Sequence, residues 1–299
     1  MQQQQPATWL CRLWPWHPPA DPDAVRAARQ AVAELKPAVV VTGGSRGIGF
    51  ALAQRFLQAG RETAIVARDA TRLTEATAAL LIATGAEPTP IVCDVTRHDA
   101  LDIIAAGLRR AGLYLDVLAN NAGVGLAGPF LTHTPDDLSH IIALNIETVT
   151  RLTRAALPDM VARQRGGILN MASLGGHVPG PNQAAYYASK AYVLSLTEAI
   201  ANEVAWQGVR VAAVLPGPVE TKFHADMGAE TSLYRVLLPS LTPEATARSA
   251  YRGFMLGRRV IVPGLLNNGM YLALKLLPHR LTVPVVSWLL RRPENLSPR

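Results

Sequence analysis

The stretch Thr42-Gly43-Gly44-Ser45-Arg46-Gly47-Ile48-Gly49 decides the fold of this chain. It follows a short apolar, β-branched run, Ala38–Val41, and leads directly into a helical pattern over residues 47–59. Glycines let the backbone turn tightly and approach a ligand, and the free N–H groups of a helix N-terminus attract a diphosphate. The stretch therefore predicts a dinucleotide-binding loop. The simpler interpretation is a tight turn that only joins a strand to a helix.

Outward from this loop, short apolar runs alternate with helical patterns. Strands that alternate with helices of this length indicate βαβ units, and continuously apolar strands indicate a sheet covered on both faces. We therefore expect one α/β domain with a doubly wound parallel sheet of about seven strands and helices on both faces. The predicted strands are residues 38–41, 63–66, 90–93, 115–119, 168–171, 209–215 and 260–262. The predicted helices are residues 47–59, 70–83, 98–111, 135–163 (bent at Pro158), 183–207 and a last helix from Thr242.

Composition excludes several classes of protein. With 49% hydrophobic and 17% charged residues among 299, the chain is neither disordered nor too short to bury a core. Only two cysteines occur, Cys11 and Cys93, so a disulfide framework is not expected. No Cys/His group has the spacing of zinc ligands, and we expect no metal site.

The net charge of +7 belongs to the C-terminal end of the chain. Residues 252–299 hold eight basic residues and one acid, Glu294, and the preceding residues carry equal numbers of basic and acidic groups. A neutral body argues against a nucleic-acid-binding protein. The basic end also contains two apolar stretches, Gly264–Leu277 and Val283–Leu290. They are open to three interpretations: a helical pair packed on the body, an oligomer contact or a peripheral membrane element.

These patterns divide the chain into a central domain, residues 37–262, with an extension at each end. Residues 1–36 contain three tryptophans before a short helical pattern, and we expect them to be partly disordered or to form a docked helix; an interfacial anchor is the alternative. Residues 263–299 are expected to be helical. No secretory signal or spanning segment is evident, so we expect a cytoplasmic protein, with peripheral membrane contact as the alternative.

Two arginines bear on which dinucleotide would bind. The second predicted strand ends in Ala67-Arg68, where an acidic residue that binds a ribose 2′-hydroxyl is usual, and Asp69 comes one position later. The guanidiniums of Arg46 and Arg68 would pair with a 2′-phosphate. The sequence therefore favours NADP(H) over NAD(H). The alternatives are that both arginines are surface charges and that Asp69 turns inward.

Tyr186 and Lys190 lie four residues apart in a predicted helix and so share one face. A lysine ammonium beside a phenol stabilises the phenolate and lowers a pKa that starts near ~10. Such a phenol can exchange protons near neutral pH. The chain has only four lysines, and one falls at this spacing, whereas Tyr187 lies three residues from it. The simpler interpretation is a solvated helix face.

Together these features resemble the short-chain dehydrogenase/reductase family, in the branch with Thr-Gly-x-x-x-Gly-x-Gly and Tyr-x-x-x-Lys motifs, over about residues 37–262. The resemblance extends to Asp94-Val95, to Asn120-Asn121-Ala122-Gly123, and to Pro216–Thr221. It implies a Rossmann-like fold, a nicotinamide cofactor and a homodimer or homotetramer. The cofactor site that it implies comprises Thr42, Gly43, Ser45, Arg46, Gly47, Ile48, Gly49, Arg68, Asp94, Val95, Asn121, Ala122, Gly123, Tyr186, Lys190, Pro216, Gly217, Val219 and Thr221.

The resemblance also implies the chemistry, which is hydride transfer between the nicotinamide and a carbonyl or secondary alcohol. Tyr186 would give or take the hydroxyl proton, and Lys190 would lower the pKa of Tyr186 and hold the nicotinamide ribose. Ser173 would hydrogen-bond the substrate oxygen. Asn145 would hold a water that links Lys190 to solvent.

The segments expected to surround the substrate are mostly apolar. Residues 174–183 would wall the site, with His177 as a wall residue and not a second catalyst. Residues 222–241 resemble a variable lid, and Phe223, Met227, Leu233, Tyr234, Val236 and Leu237 could close over an apolar carbonyl or alcohol. The simpler interpretation is that these side chains pack on the body. The leading interpretation is an NADPH-dependent carbonyl reductase. The alternatives are a 3-oxoacyl-thioester reductase and a non-catalytic NADP-binding sensor or scaffold.

Overall fold

The computed structural model describes residues 20–291, so the three N-terminal tryptophans lie outside the described residues. Its centre is a parallel sheet of seven strands in the order β3-β2-β1-β4-β5-β6-β7. The strand order runs outward from β1 to β3 on one side and from β4 to β7 on the other, which makes the sheet doubly wound. The predicted fold class is confirmed. The strands are β1 (Lys36–Thr42), β2 (Glu62–Ala67), β3 (Thr89–Val92), β4 (Leu113–Asn120), β5 (Gly166–Met171), β6 (Val209–Val214) and β7 (Val260–Ile261).

Helices connect the strands and cover both faces. The twelve α-helices of residues 20–291 are α1 (Pro22–Gln30), α2 (Gly47–Gln58), α3 (Ala70–Thr84), α4 (Ala100–Arg110), α5 (Pro135–Ile142), α6 (Thr148–Ala162), α7 (Ala184–Glu203), α8 (Phe223–Asp226), α9 (Leu233–Leu237), α10 (Pro243–Met255), α11 (Leu265–Leu276) and α12 (His279–Leu289). Short 3-10 turns form at Phe130–Thr132 and Leu174–His177. None of the helices within these residues is long and apolar enough to cross a membrane.

The sheet is buried on both faces because its strands have no polar alternation. Along β1, Val39 and Val41 pack into the cluster that contains Phe56, whereas Ala38 and Val40 pack into the cluster on the other face. These four residues of β1 are fully buried. Burying a valine side chain contributes about 1.5–3 kcal/mol, so both faces stabilise the strand that carries the glycine loop.

The predicted long helix over residues 135–163 is interrupted by a π-helical turn. It begins as expected, with Thr134 and Asp137 forming a capping box and Pro135 in the first turn. A π-helical turn, Ala143–Glu147, then separates α5 from α6, and Pro158 lies inside α6. The side chain of Asn145 in this turn bonds to the backbone of Val124, which anchors the irregular turn. Such turns often mark functional sites.

The two C-terminal helices pack beside the carboxyl end of the sheet. In α11, Met270 and Tyr271 pack against the cluster that contains Leu174. Val286 of α12 and Leu290, directly after it, pack against Val178. A backbone hydrogen bond of 3.0 Å between Leu233 N–H and the carbonyl of Arg291 ties the end of α12 to α9. The extension therefore forms part of the wall at the edge where parallel sheets bind ligands.

Candidate active site

The glycine loop at the end of β1 has a backbone that only glycine accommodates well. Gly43 and Gly47 have φ angles of +64° and +56°, in the left-handed region. A side chain on Gly49 would collide with the carbonyl of Gly43 and the amide of Asn121. No side chain caps the N-terminus of α2. The first-turn N–H groups of α2 are therefore available to a diphosphate, and the loop fits a dinucleotide.

Thr42 and Asn121 hold this loop against the end of β4. The Thr42 hydroxyl accepts hydrogen bonds from the backbone N–H groups of Asn121 (3.0 Å) and Ala122 (3.1 Å). The Asn121 side-chain amide donates to the carbonyls of Thr42 (3.0 Å) and Gly43 (3.2 Å). Thr42 and Gly49 do not line the cleft described next, so for these two residues the structure indicates a positioning role.

A single large cleft of about 1250 Å³ runs from the glycine loop past the carboxyl ends of the central strands to α11 and α12. Every other residue predicted for the cofactor site lines this cleft, and so do Ser173 and Phe223. Asn145 lies behind the wall. The cleft therefore brings the dinucleotide loop and the expected reacting groups into one space, large enough for a ligand of some length.

The charged groups near the expected ribose position are arranged as follows. Arg68 is exposed and lines the cleft. Asp69 caps α3, because its carboxylate accepts from the N–H of Arg72 at 3.0 Å and pairs with the Arg72 side chain at 3.3 Å. Arg46 forms an ion pair of 2.8 Å with Asp226 of α8. The carboxylate of Asp69 is thus engaged with α3, whereas Arg46 links the loop to the lid segment.

Asp94, at the end of β3, is also held in a fixed position. Its carboxylate accepts from the N–H (2.9 Å) and the hydroxyl (2.7 Å) of Thr96. These hydrogen bonds, with a smaller contribution from the positive charge of Arg68, lower the pKa of Asp94. The carboxylate therefore stays ionised and oriented at the cleft wall.

Ser173, Tyr186 and Lys190 come together where β5 and α7 meet. The Ser173 hydroxyl hydrogen-bonds the Tyr186 phenol. The Lys190 ammonium donates to the carbonyl of Met171 at 2.9 Å and lies 5.8 Å from the centroid of the Tyr186 ring. Lys190 is buried, and Tyr186 is partly open to the cleft. A phenol, a hydroxyl and an ammonium thus face one reaction space.

Burial controls the protonation of this group. Desolvation raises the pKa of Tyr186 to about 12, and the hydrogen bond from Ser173 opposes this rise. Desolvation also lowers the pKa of Lys190 to about 8. The expected lowering of the Tyr186 pKa by Lys190 is therefore not seen, because the cost of burying the phenolate exceeds the stabilising contributions around it.

Tyr187, the competing phenol, is closely packed against two glycines. Its ring packs so closely on Gly175 and Gly180 that a Cβ at either position would collide with it. Burial raises its pKa well above the ordinary range. Both phenols line the cleft, and Tyr186 is the one that lies beside Ser173 and Lys190.

Asn145 connects the π-helical turn to this group. Its side-chain oxygen accepts from the N–H of Val124 at 2.9 Å, and its amide donates to the Val124 carbonyl at 2.8 Å and to Ser189 at 3.1 Å. A Cβ at Gly123 would lie 3.1 Å from the Asn145 oxygen and 3.6 Å from the Lys190 nitrogen. Gly123 therefore leaves room for both side chains, while the Asn145 amide is fully used by protein partners.

Several residues predicted to contact substrate do not line the main cleft. His177 lies outside the main cleft, in a small cavity with Glu198 and Lys275, and its ring packs on Tyr271 at 4.8 Å. The cause is the 3-10 turn Leu174–His177, which packs against α11. In the lid, Phe223, Met227 and Tyr234 line the cleft, whereas Leu233, Val236 and Leu237 do not. His177 and these last three residues therefore lie apart from the cleft that the other predicted site residues line.

Sequence reasoning missed part of the far wall. The His224 ring nitrogen Nδ1 and the Tyr234 hydroxyl share a hydrogen bond of 2.8 Å. Burial lowers the pKa of His224 to about 4. Leu274, Leu281 and Val286 of the C-terminal helices also line the cleft. Their helical apolar spacing is visible in the sequence, but their position beside the site depends on tertiary packing.

Comparisons with known proteins agree with this geometry. A family model described as short chain dehydrogenase matches residues 37–232. A short chain dehydrogenase of Pseudocercospora fijiensis is 34% identical over 189 residues, which are 62% of this chain and 60% of that protein. The match thus spans less than two thirds of the fungal relative.

A second relative and a solved structure extend the comparison. The very-long-chain 3-oxoacyl-CoA reductase of Anas platyrhynchos is 34% identical over 219 residues, 71% of this chain and 66% of that protein. A short-chain dehydrogenase from Sphingobium yanoikuyae, solved in complex with NADPH, has a TM-score of 0.71 and 32% identity, covering 80% of this chain and 92% of that one. Because the family model covers most of the central domain, we conclude that the chain belongs to the short-chain dehydrogenase/reductase family.

Proposed function

We propose that this protein is an NADPH-dependent reductase of apolar carbonyl compounds. The observation that carries the proposal is the convergence of Ser173, Tyr186 and Lys190 on a cleft with a diphosphate-binding loop at one end and an apolar wall at the other. A reduced nicotinamide, when bound, supplies the hydride that a carbonyl carbon accepts. The chain must then supply the proton and the orientation.

Tyr186 supplies the proton in this proposal. Because burial raises its pKa to about 12, the phenol is protonated at neutral pH and can donate to the developing alkoxide. The Ser173 hydroxyl, already bonded to the phenol, orients the carbonyl oxygen between the two groups. The positive charge of Lys190 favours the phenolate left after the transfer. A protonated phenol favours the direction of carbonyl reduction.

The preference for NADP(H) is supported by the charges around the ribose position. Asp69 lines the cleft, but its carboxylate caps α3 and pairs with Arg72, which reduces its availability to a free 2′-hydroxyl. Arg68 is exposed at the cleft and available to a 2′-phosphate. We expect Arg68→Ala to raise the KM for NADPH about tenfold and to leave the KM for NADH nearly unchanged. Equal effects on both cofactors, measured in steady-state kinetics, would contradict the preference.

The substrate class is argued from the far wall. Met270, Leu274, Leu281 and Val286 line the cleft opposite the glycine loop, and they offer no charge to a polar substrate. A panel of carbonyl compounds of increasing chain length, followed by NADPH oxidation, tests the proposal. Activity should rise with apolar chain length, whereas activity confined to sugars or small polar ketones would overturn it.

A 3-oxoacyl-thioester reductase is the second candidate, and the duck very-long-chain 3-oxoacyl-CoA reductase favours it. Both candidates use the same Tyr186 chemistry and differ in what lies beyond the reacting carbonyl. Reduction of 3-oxoacyl thioesters together with inactivity on simple ketones would select the thioester reductase. A non-catalytic NADP-binding protein is the remaining alternative, and it predicts NADPH binding with no turnover of any carbonyl in the panel.

A further inference from the structure

The helices α11 and α12 carry apolar side chains that the described part of the chain leaves uncovered. On α11, Leu265, Leu272 and Leu276 share one face, with Leu265 93% and Leu276 72% exposed. On α12, Leu281, Val285 and Trp288 share one face and are each about half exposed. We call these six residues the apolar face. A helix that is solvated on one side normally shows polar residues there, so the apolar face indicates contact with another phase or molecule.

The cleft opens onto the apolar face. Leu281 and Val285 belong to the apolar face and also line the cleft. Leu277, between the two helices, is likewise exposed and lines the cleft. Leu274 and Val286 continue the lining inward from the two helices. An apolar molecule at the face could therefore enter the cleft without crossing a charged barrier on this wall.

Charge distinguishes the occupants that this face would accept. Residues 245–291 contain no aspartate or glutamate. Lys275, Arg280 and Arg291 are exposed, and among residues 20–291 none of them forms a salt bridge; Glu198 shares a small cavity with Lys275 without pairing to it. A symmetric contact with a second copy would oppose these cations to one another. An anionic lipid surface offers opposite charge and an apolar layer together.

We propose that the apolar face lies on an anionic lipid bilayer and that apolar carbonyl substrates enter the cleft from the lipid. The inference rests on the proposed function for the substrate class and adds the source of the substrate. At 12 and 11 residues, α11 and α12 are too short to span the hydrocarbon layer. They lie in the interface, with the leucines among the acyl chains and the basic residues among the headgroups.

The test is co-sedimentation of the full chain with vesicles, without cofactor or substrate. We expect binding to vesicles of phosphatidylcholine and phosphatidylglycerol, and binding that weakens by about tenfold with phosphatidylcholine alone or with added salt. The double variant Leu272→Glu/Leu276→Glu should weaken binding by about tenfold or more. The matched control is Ile82→Glu/Leu131→Glu, which adds the same charge at side chains that are 87% and 95% exposed elsewhere. It should bind nearly as the unchanged protein does.

A second measurement tests the entry route. A ketone with a long alkyl chain, carried in the vesicles, should be reduced more slowly by Leu272→Glu/Leu276→Glu, whereas a water-soluble ketone should be reduced at the unchanged rate. An equal loss on both ketones would overturn the entry route.

Other outcomes would overturn the proposal that the apolar face binds a lipid bilayer. These are no binding of the unchanged protein to anionic vesicles, equal weakening by the control variant, or a change of oligomeric mass in Leu272→Glu/Leu276→Glu without vesicle binding. Capture by an acidic protein in place of vesicles would overturn it as well. Failure of the proposed function gives a different result, which is vesicle binding with no reduction of any ketone.

Discussion

At the scale of single residues, burial shifts the pKa values of two titratable groups in the cleft in opposite directions. It raises the pKa of Tyr186 to about 12 and lowers the pKa of Lys190 to about 8. In both residues burial favours the neutral form. The Tyr186 phenol therefore stays protonated, whereas keeping Lys190 as an ammonium lowers the free energy of unfolding. Both shifts fit the proposed role of Tyr186 as a proton donor, and part of the protein's stability is given up to place the lysine.

The two adjacent tyrosines allow a matched test of the proton donor. We expect Tyr186→Phe to lower kcat by about a thousandfold, because no other phenol reaches Ser173, and to leave NADPH affinity within about twofold. Tyr187→Phe should keep most of the turnover, since that ring packs on Gly175 and Gly180. Steady-state kinetics and NADPH fluorescence titration give both values. Loss of kcat in Tyr187→Phe alone would contradict the assignment.

The buried lysine gives a prediction about stability. The unfolded chain binds a proton at this lysine up to a pKa near 10.5, and the folded chain only up to about 8. Between these values the unfolded state holds more protons, so this group makes the free energy of unfolding rise with pH, and the penalty is complete below pH 8. Lys190→Met should therefore raise that free energy by about 2 kcal/mol at pH 7, with little gain above pH 10.5.

Urea unfolding of Lys190→Met at several pH values measures this effect, and turnover should be lost in the same variant. Tyr186 contributes the opposite slope at higher pH, because its folded pKa lies above the ordinary value of 10.0. A gain in stability that does not decline toward alkaline pH would show that the ammonium is not the source of the penalty.

At the scale of elements, the π-helical turn is the feature that connects the long helix to the site. Ala143–Glu147 widens the helix so that Asn145 reaches the backbone of Val124, next to Gly123. The turn also brings Asn145 to Ser189 on α7. Three hydrogen bonds thus fix the relative positions of the segment after β4 and the helix that carries Tyr186.

Removing this connection should lower both stability and turnover. We expect Asn145→Ala to reduce the free energy of unfolding by about 1–2 kcal/mol, because it leaves part-buried backbone groups of Val124 unpaired. The comparison is Thr134→Ala at the exposed cap of α5, which should cost about 1 kcal/mol and leave kcat unchanged. Denaturant melts and kinetics on both variants separate the effects. A cost for Asn145→Ala no larger than that of the cap variant would contradict the role of the turn.

The same elements show what the sequence can predict. The apolar runs that become β1 to β7 are detectable because parallel strands covered on both faces have no polar alternation. The π-helical turn is not detectable, since its residues continue a helical pattern and only the tertiary bonds of Asn145 select it. His177 illustrates the same limit. Its proximity to Ser173 in the sequence predicts a wall residue, but the turn that carries it packs against α11, and His177 lies in another cavity. The pKa of Tyr186 depends on burial, which sequence spacing does not give.

At the scale of the whole molecule, the cleft has one wall from the sheet and another from the lid and the C-terminal helices. The lid is joined to the sheet side through the ion pair between Arg46 and Asp226. Both side chains are about half exposed, so the pair itself adds little stability. Arg46 is also one of the two arginines expected near the 2′-phosphate. In the proposed NADP(H) site, a 2′-phosphate would therefore compete with Asp226 for this guanidinium.

This competition predicts that Asp226→Asn binds NADPH a few-fold more tightly, because Arg46 no longer has to leave a carboxylate before it meets the phosphate. The affinity for NADH should stay within experimental error, since that cofactor has no 2′-phosphate to compete. Raising the salt concentration should shrink the difference, as both pairs are solvent-exposed. Fluorescence titrations of the two cofactors with Asp226→Asn and Asp23→Asn, a control at the distant and more exposed Arg26 pair, measure the effect. A gain for NADH equal to that for NADPH would mean that the lid has simply loosened, and the competition for Arg46 would then be excluded.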